Sequence, residues 1–278
     1  MPDIALSTSD LWFWYQDEDT PVLCGVDLSV PCGQFVALVG ANGSGKTTLV
    51  KHFNGLLRPR RGQVRVNGED AGHRSIGELS REVGFLFQHP EQQIFSPSVG
   101  EEVAFGPRNL GLSPEQVAAR VHAALTRFDL VAVADTPPAV LSYGLRRRVT
   151  LAAAAAMGPP VLVLDEPTVG LDAPGLTEAF EWLAELHAEG RTILLVTHDM
   201  SVVAEYADRV VVLNQGQILA DGSPTTVFQQ TDVLSQASLQ PPPLVALAQA
   251  LRPYGLCGDI VTLDAFCDQY AALVESQT

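Results

Sequence analysis

The chain of 278 residues is 46% hydrophobic and 18% charged, which excludes a disordered or fibrous chain and leaves room for one large or two modest domains. Its 32 acidic residues against 17 Lys and Arg give a net charge of −15. That excludes a general nucleic-acid binder, which needs a basic face to neutralise phosphates. No basic start followed by an apolar run opens the chain, so no secretory leader is expected. The longest uncharged apolar-rich run, Val149 to Leu164, spans 16 residues, short of the roughly 20 that a membrane helix requires. The expectation is a cytoplasmic protein in which Cys24, Cys32, Cys257 and Cys267, lacking metal-ligand spacing, are reduced thiols used for packing.

Strands are expected at LWFWYQ, VLCGVDLSV, GQFVALVG and GQVRVNG, with turn residues between them. The third runs into GANGSGKTT, residues 40–48, where Gly40, Gly45, Lys46 and Thr47 satisfy the G-x-x-x-x-G-K-[ST] pattern between a strand and a helix. Backbone amides over Gly40, Ala41, Asn42, Gly43, Ser44, Gly45 and on to Thr48 are expected to curl around phosphate oxygens. Lys46 then reaches the outer phosphates and the Thr47 hydroxyl ligates Mg²⁺. Random sequence supplies this pattern in on the order of 1% of chains this long, so a bare flexible loop is a poor account of it.

GFLFQHP ends an apolar run in Gln88, an amide able to touch metal or water. From residue 90 to 140 the pattern turns helical: SPEQVAARVHAALTRF sets Val117, Val121, Ala124, Leu125 and Phe128 at helical spacing behind the cap Ser113. A further helix is expected to open near Ser142, a good N-cap, and to run through VTLAAAAAM. Arg146, Arg147 and Arg148 fall in its early turns. A helix start is the positive end of the dipole and favours acids, so three cations there imply a strong anion arriving from outside.

From 158 the α/β rhythm returns. PPVLVLDEP is a buried strand that ends in Asp165 and Glu166, at the carboxyl edge where ligands of α/β sheets collect. Asp165 suits a Mg²⁺ position and Glu166 a general base polarising water. A helix over 177–188 follows, then the strand RTILLVTHD, the short helix SVVAEYAD and the hairpin RVVVLNQGQILADG. His198, at the end of its strand, is a candidate γ-phosphate contact. After 223 the pattern weakens. PPPLVALAQAL puts Leu244, Leu247, Ala248 and Leu251 on one helical face, and DIVTLDAFCDQYAALV does the same with Leu263, Phe266, Tyr270 and Leu273. These faces either pack on the chain's own core or meet a partner.

In this order and spacing, Gly40 to Thr48, Gln88, LSYG, VLVLDEPTVGLD and His198 resemble the nucleotide-binding subunits of ABC transporters, over residues 3 to 223. FNGLLRPRRGQVRVNGED and FLFQHPEQQIFSPSVGEEVAFGPRNLGLS resemble the ATPases of energy-coupling factor (cobalt-type) importers, which take up vitamins or transition-metal ions. The resemblance implies an α/β P-loop ATPase core with an N-terminal antiparallel β subdomain, an inserted helical subdomain and a short C-terminal extension. Its boundaries would be 1–88, 89–157, 158–223 and 224–278, the last a possible dimerisation element. ATP and Mg²⁺ are the implied cofactors, with Glu166 and His198 catalytic and Thr47, Gln88 and Asp165 at the metal. Implied partners are a second ABC ATPase subunit stacked head to tail, an integral membrane transport subunit and a substrate-binding membrane subunit. No nucleic acid is implied. The chain would then sit peripherally on the inner face of the cell membrane.

The same resemblance gives roles to the remaining residues. Ser142 and Gly144 of LSYG would face a γ-phosphate held by the second subunit, the anion that the arginines imply. Tyr15 would stack on adenine, and Asp172 would join the two subunits. The segment from Gln88 through Glu101 and Glu102 would line the groove for the membrane subunit, its carboxylates either accepting arginines from it or, more simply, forming a solvated acidic face. One departure stands out: the family pattern is Leu-Ser-Gly-Gly-Gln, and here Tyr143 replaces the first glycine and Leu145 the glutamine. Added bulk and a lost amide imply a weakened signature, which a heterodimer tolerates better than a homodimer. Two other functions remain open at this point, a regulatory ATP-binding module of low turnover and a non-transport ABC ATPase. The latter predicts tandem cassettes, coiled-coil insertions or basic surfaces, which this sequence lacks.

Overall fold

The computed structural model describes residues 3–16, 20–256 and 260–277. In chain order the elements begin with β1 (Ile4–Phe13), β2 (Leu23–Pro31), β3 (Phe35–Val39), the single-turn helix α1 (Lys46–Val50), β4 (Arg61–Val66), β5 (Glu69–Asp70), α2 (Ile76–Leu79) and β6 (Val83–Leu86). Three helices follow, α3 (Val99–Asn109), α4 (Pro114–Arg127) and α5 (Tyr143–Met157). Then come β7 (Val161–Asp165), α6 (Ala173–Ala188), β8 (Thr192–Val196), α7 (Met200–Tyr206), β9 (Arg209–Asn214) and β10 (Gln217–Gly222). The chain closes with α8 (Pro224–Phe228), α9 (Thr231–Gln236), α10 (Pro243–Leu251) and α11 (Leu263–Gln277).

Two sheets result. An antiparallel four-stranded sheet has the order β2-β1-β4-β5, and a six-stranded sheet has the order β10-β9-β3-β8-β7-β6. In the second, β6, β7, β8, β3 and β9 run parallel and β10 returns antiparallel. Every residue of β3, β7 and β8 is buried. Strands covered on both faces must be apolar throughout, which is why FVALV, VLVLD and TILLV carry no alternation.

One face of this sheet, through Val36, Leu38, Val163 and Val211, packs on the antiparallel sheet at Leu6, Leu11 and Val26. The other face, through Leu162, Leu164, Ile193 and Leu195, meets Val103, Leu125, Phe128 and Trp182 of the helices. The loops after β3, β6, β7 and β8 consequently all leave the sheet at one edge, and they are the segments carrying Gly40–Thr48, Gln88, Asp165–Glu166 and His198.

The helical segments follow their local signals. Ser113 and Gln116 form a reciprocal capping box on α4, and Val117, Ala124, Leu125 and Phe128 are buried as the spacing predicts, with Val121 partly so. Ser142 caps α5, which stops at Gly158 in the left-handed conformation. Helix α6 starts at Ala173 rather than 177, because Asp172 accepts a bond from the Gly175 amide and Pro174 is compatible with a first turn. Strand β1 ends at Phe13, so Trp14 and Tyr15 lie outside it.

Helices α8 and α9 place Phe228 and Leu234 on Val210 and Val212, the free face beside β3. The predicted face of α10 is corrected: Val245 and Ala248 are the buried positions, and Leu247 is exposed. On α11, Phe266 and Leu273 pack inward while Leu263 and Tyr270 stay exposed. Cys24, Cys32 and Cys267 are free thiols. Cys32 and Cys267 are exposed, so packing does not account for them. Cys257 lies outside the described residues. No helix among those described is long and apolar enough to cross a membrane.

Candidate functional site

The loop after β3 closes because two of its residues lack a side chain. Gly40 adopts φ +154°, and a Cβ there would overlap the Leu213 carbonyl. Gly45 caps α1 at φ +105°, with Leu23 and the Val22 carbonyl 3.0 Å from where its Cβ would stand. Lys46 is only 8% exposed and its Nζ donates to the Gly40 and Ala41 carbonyls at 2.8 and 2.9 Å. Burial pulls its ammonium below the usual pKa, against the opposing charges of Glu166 and Asp165. The Ser44 hydroxyl, buried in the same loop, has no partner among the described residues. Behind the loop, Thr48 is 3.2 Å from the Tyr15 hydroxyl, whose ring meets Phe13 edge-on.

Thr47 Oγ1 donates to Asp165 Oδ2 at 2.7 Å, tying the ends of β3 and β7 together across β8. Burial pushes the Asp165 carboxyl up, opposed first by this hydroxyl and then by Lys51, Lys46 and Arg147. Its second oxygen, Oδ1, is buried without a partner among the described residues. A buried, unpaired carboxylate oxygen beside a threonine hydroxyl fits a Mg²⁺ ion, which takes few protein ligands and fills its shell from phosphate and water. No cluster of three or more His, Cys, Asp or Glu able to hold a metal exists among the described residues.

Glu166 sits at φ +48°, a left-handed conformation for a non-glycine residue, with its amide bonded to the Val196 carbonyl at 3.0 Å. Such a backbone costs on the order of 1–3 kcal/mol and persists only where its surroundings impose it. It turns the carboxylate so that Oε1 meets His198 Nδ1 at 2.9 Å while Oε2 is buried and unpartnered. The His198 side chain itself is mostly exposed.

These residues line two clefts with a common wall. One, of about 340 Å³, is bounded by Asn42, Gly43, Gly45, Lys46, Thr47, Thr48, Gln88, Asp165 and Glu166. The other, of about 410 Å³, has Gly40, Ala41, Asn42, Gln88, Glu166 and His198, and adds Val169, Ser238 and Leu239. Ser238 and Leu239 were invisible in the sequence: they belong to a segment with no motif and reach the site only because α8 and α9 fold back on β9. Tyr15, Ser142, Gly144 and Asp172 border neither cleft.

Two of the three arginines of α5 take partners within the chain. Arg147 is fully buried and donates to the Phe87 carbonyl at 2.7 Å and to that of Gln88. Burial holds its guanidinium below the usual pKa, against the influence of Tyr143, Glu91 and Asp165. Arg148 pairs with Asp172 at 3.3 Å and Glu178 at 3.2 Å. Two of the three cations are thus spent inside the chain. Asp172, capping α6 and paired with Arg148, is likewise engaged within its own chain. Glu102 is not free to accept an arginine either: it is 5% exposed and takes the Phe95 and Ser96 amides at 3.1 and 2.8 Å, while Glu101 pairs with Arg108. Ser142 accepts the Leu145 amide at 3.3 Å and remains exposed.

The chain is similar to known proteins. The ABC transporter family model matches residues 23–169. The energy-coupling factor transporter ATP-binding protein EcfA of Methanocaldococcus jannaschii is 43% identical over 249 residues, 89% of each chain. EcfA2 of Symbiobacterium thermophilum is 44% identical over 244 residues, 86% of this chain and 85% of its own. Among solved structures, cbiO1 from Clostridium perfringens, described as part of the ABC transporter complex cbiONQ, superposes with a TM-score of 0.72 at 35% identity, covering 90% of this chain and 99% of that one. A dimeric ATP-binding cassette in a post-hydrolysis state with ADP and Pi superposes at 0.71 and 26% identity, covering 79% and 98%.

Proposed function

The chain belongs to the ABC transporter family, and from that premise we propose that it is the ATP-hydrolysing subunit that powers an importer of the energy-coupling factor type. The single observation carrying this reading is the convergence, at one sheet edge, of the Lys46 loop, the half-satisfied Asp165 carboxylate and the Glu166–His198 pair. The backbone amides after Gly40 and the Lys46 ammonium bind the triphosphate. Because Lys46 is itself largely desolvated, its charge attracts phosphate more strongly than it would in solvent. Thr47 and Asp165, with Gln88 alongside, hold Mg²⁺, which when bound neutralises charge on the phosphates.

Glu166 orients a water in line with the γ-phosphorus. As the water oxygen bonds to phosphorus and the bridging bond to ADP breaks, Glu166 Oε2 receives the proton. His198, fixed by its Nδ1 contact with Glu166 Oε1, presents its outer edge to the γ-phosphate. Tyr15 stands at the side of the loop where adenine would lie.

A second ABC ATPase subunit stacks head to tail on this chain, whose Ser142 and Gly144 face the γ-phosphate held by that subunit, with Asp172 at the seam. A heterodimer is favoured by the departures at Tyr143 and Leu145. The chain docks peripherally on the inner face of the membrane against an integral transport subunit, next to a substrate-binding membrane subunit, and the cargo is a vitamin or a transition-metal ion. Phe95 and Phe105 support this docking: they form an exposed edge-to-face pair, 66% and 46% accessible, on the helical segment after Gln88. The three-part division with an extension at 224–278 follows the same reading, as α3 to α5 interrupt the two stretches that build the six-stranded sheet.

The test is Lys46→Ala in the chain co-purified with its membrane subunits. Nucleotide affinity and ATP-dependent solute uptake are both expected to be lost. Retention of both would remove the phosphate site from the mechanism.

A further inference from the structure

Tyr143 is the residue at which this chain departs from the glycine its resemblance leads one to expect, and the fold makes a specific place for it. Its ring rests on Gly170: a Cβ on Gly170 would overlap ring atoms Cδ1 and Cε1, and Gly170 holds φ +83°. The neighbouring Gly144 presses on the same loop, with the Gly170 carbonyl 2.9 Å from where its Cβ would be. The Tyr143 hydroxyl donates to the Gln88 carbonyl at 3.4 Å, the carbonyl that Arg147 also holds. One residue further along α5, Arg148 reaches Asp172 at 3.3 Å. The start of α5, the loop at Gly170 and the residue Gln88, far apart in sequence, therefore meet at the Tyr143 side chain.

We propose that Tyr143 is a positioning residue: seated on Gly170, it braces the loop that follows Glu166 against the start of α5, and so holds Glu166 in its working orientation. The path is short. Glu166 and Gly170 are linked by tight turns, the Val169 amide bonding to the Glu166 carbonyl at 3.5 Å and the Leu171 amide to that of Thr168 at 3.2 Å. Glu166 occupies a left-handed backbone conformation, which needs external support to persist. The bulk of Tyr143 is thus taken up within the chain, and the segment offered to a second subunit is locked to the segment serving this chain's own nucleotide. This rests on the ATPase reading above. It adds the cause of Glu166's placement and a reason for a tyrosine at 143.

The experiment is steady-state ATP hydrolysis by the full chain over a range of ATP concentrations, comparing kcat with the half-saturating ATP concentration. Tyr143→Ala is expected to lower kcat by about 10-fold or more, since misplacing a reacting group by an ångström costs up to ~10²-fold. Half-saturation should move by less than about threefold, because the Lys46 loop makes none of these contacts. Tyr143→Phe keeps the ring on Gly170 and should retain more than half of parental kcat. Gly170→Ala, which pushes the ring away, should fall as Tyr143→Ala does, and the double variant should lose no more than the worse single one, the mark of a shared contact.

Should Tyr143→Ala fail to fold, Tyr143→Leu keeps the apolar mass without the planar ring and is read in the same way. Parental kcat in Tyr143→Ala or Tyr143→Leu, or losses that multiply in the double, would overturn the proposal. A rise in kcat would overturn it in favour of the obstruction expected from the sequence. Lys46→Ala separates the levels: if it keeps parental turnover the ATPase reading fails, and if it is inactive while Tyr143→Ala is parental, only the role of Tyr143 fails.

Discussion

Replacing Glu166 by glutamine isolates the proton-accepting function from everything else that residue does. The amide is isosteric, can keep Oε1 as acceptor for the His198 contact now at 2.9 Å, and leaves the φ +48° backbone unchanged. What is lost is the ability of the second, buried and unpartnered oxygen to take a proton. A positioned general base contributes roughly 10²–10⁴-fold, equivalent to about 2.7–5.5 kcal/mol of barrier. Glu166→Gln should therefore lower phosphate release by that factor. ATP affinity should hold within a fewfold, since Lys46 and Thr47 reach the phosphates without help from the Glu166 charge. Removing that charge also takes away one of the two carboxylates that counter the desolvation of Lys46, so a modest change in binding is consistent and a complete loss is not. The assay pairs steady-state phosphate release with equilibrium binding of labelled ATP at the same Mg²⁺ concentration. Turnover within about threefold of the parent would refute the assignment of Glu166, and so would loss of turnover in strict proportion to loss of binding.

Asp165→Asn should raise the Mg²⁺ concentration needed for half-maximal turnover by about tenfold or more, because a neutral amide replaces the buried oxygen that fits the ion; an unchanged Mg²⁺ dependence refutes this. His52 provides a pH test of stability. It is buried, its Nδ1 contacts the Thr48 carbonyl at 2.8 Å and its Nε2 has no partner, and burial lowers its pKa from 6.5 to about 4. Between those values the unfolded chain binds a proton that the folded one refuses. The His52 contribution is therefore full above pH 6.5, falls by about 3 kcal/mol towards pH 4 and changes no further below it. His52→Leu should remove that slope from urea-denaturation midpoints, and a slope equal to the parent's would count against it. Lys46→Ala, in the reconstituted complex, should abolish both nucleotide binding and uptake.

Contiguous residues determined much of this protein before any coordinates. The phosphate loop, the helix caps at Ser113 and Ser142 and the continuous apolar strands ending in Asp165 and His198 all rest on interactions spanning six residues or fewer, or on burial of an unbroken apolar run. These are decided locally, so GANGSGKTT, VLVLDEP and TILLVTH were legible as elements converging on one sheet edge. What the tertiary structure alone decided is where long side chains go once the segments are packed. Arg147 and Arg148, placed by helix position for an incoming anion, reach back 59 residues to Gln88 and forward 24 to Asp172. Glu102, an apparent surface acid, is consumed by two amides of the loop before it. Tyr143 finds its site only because Gly170 lacks a side chain there, and Ser238 and Leu239 reach the catalytic edge only because α8 and α9 fold onto β9. A charged or aromatic side chain spans several ångströms and takes whichever partner the fold brings within reach, so its role is a property of the packed chain rather than of its neighbours in sequence.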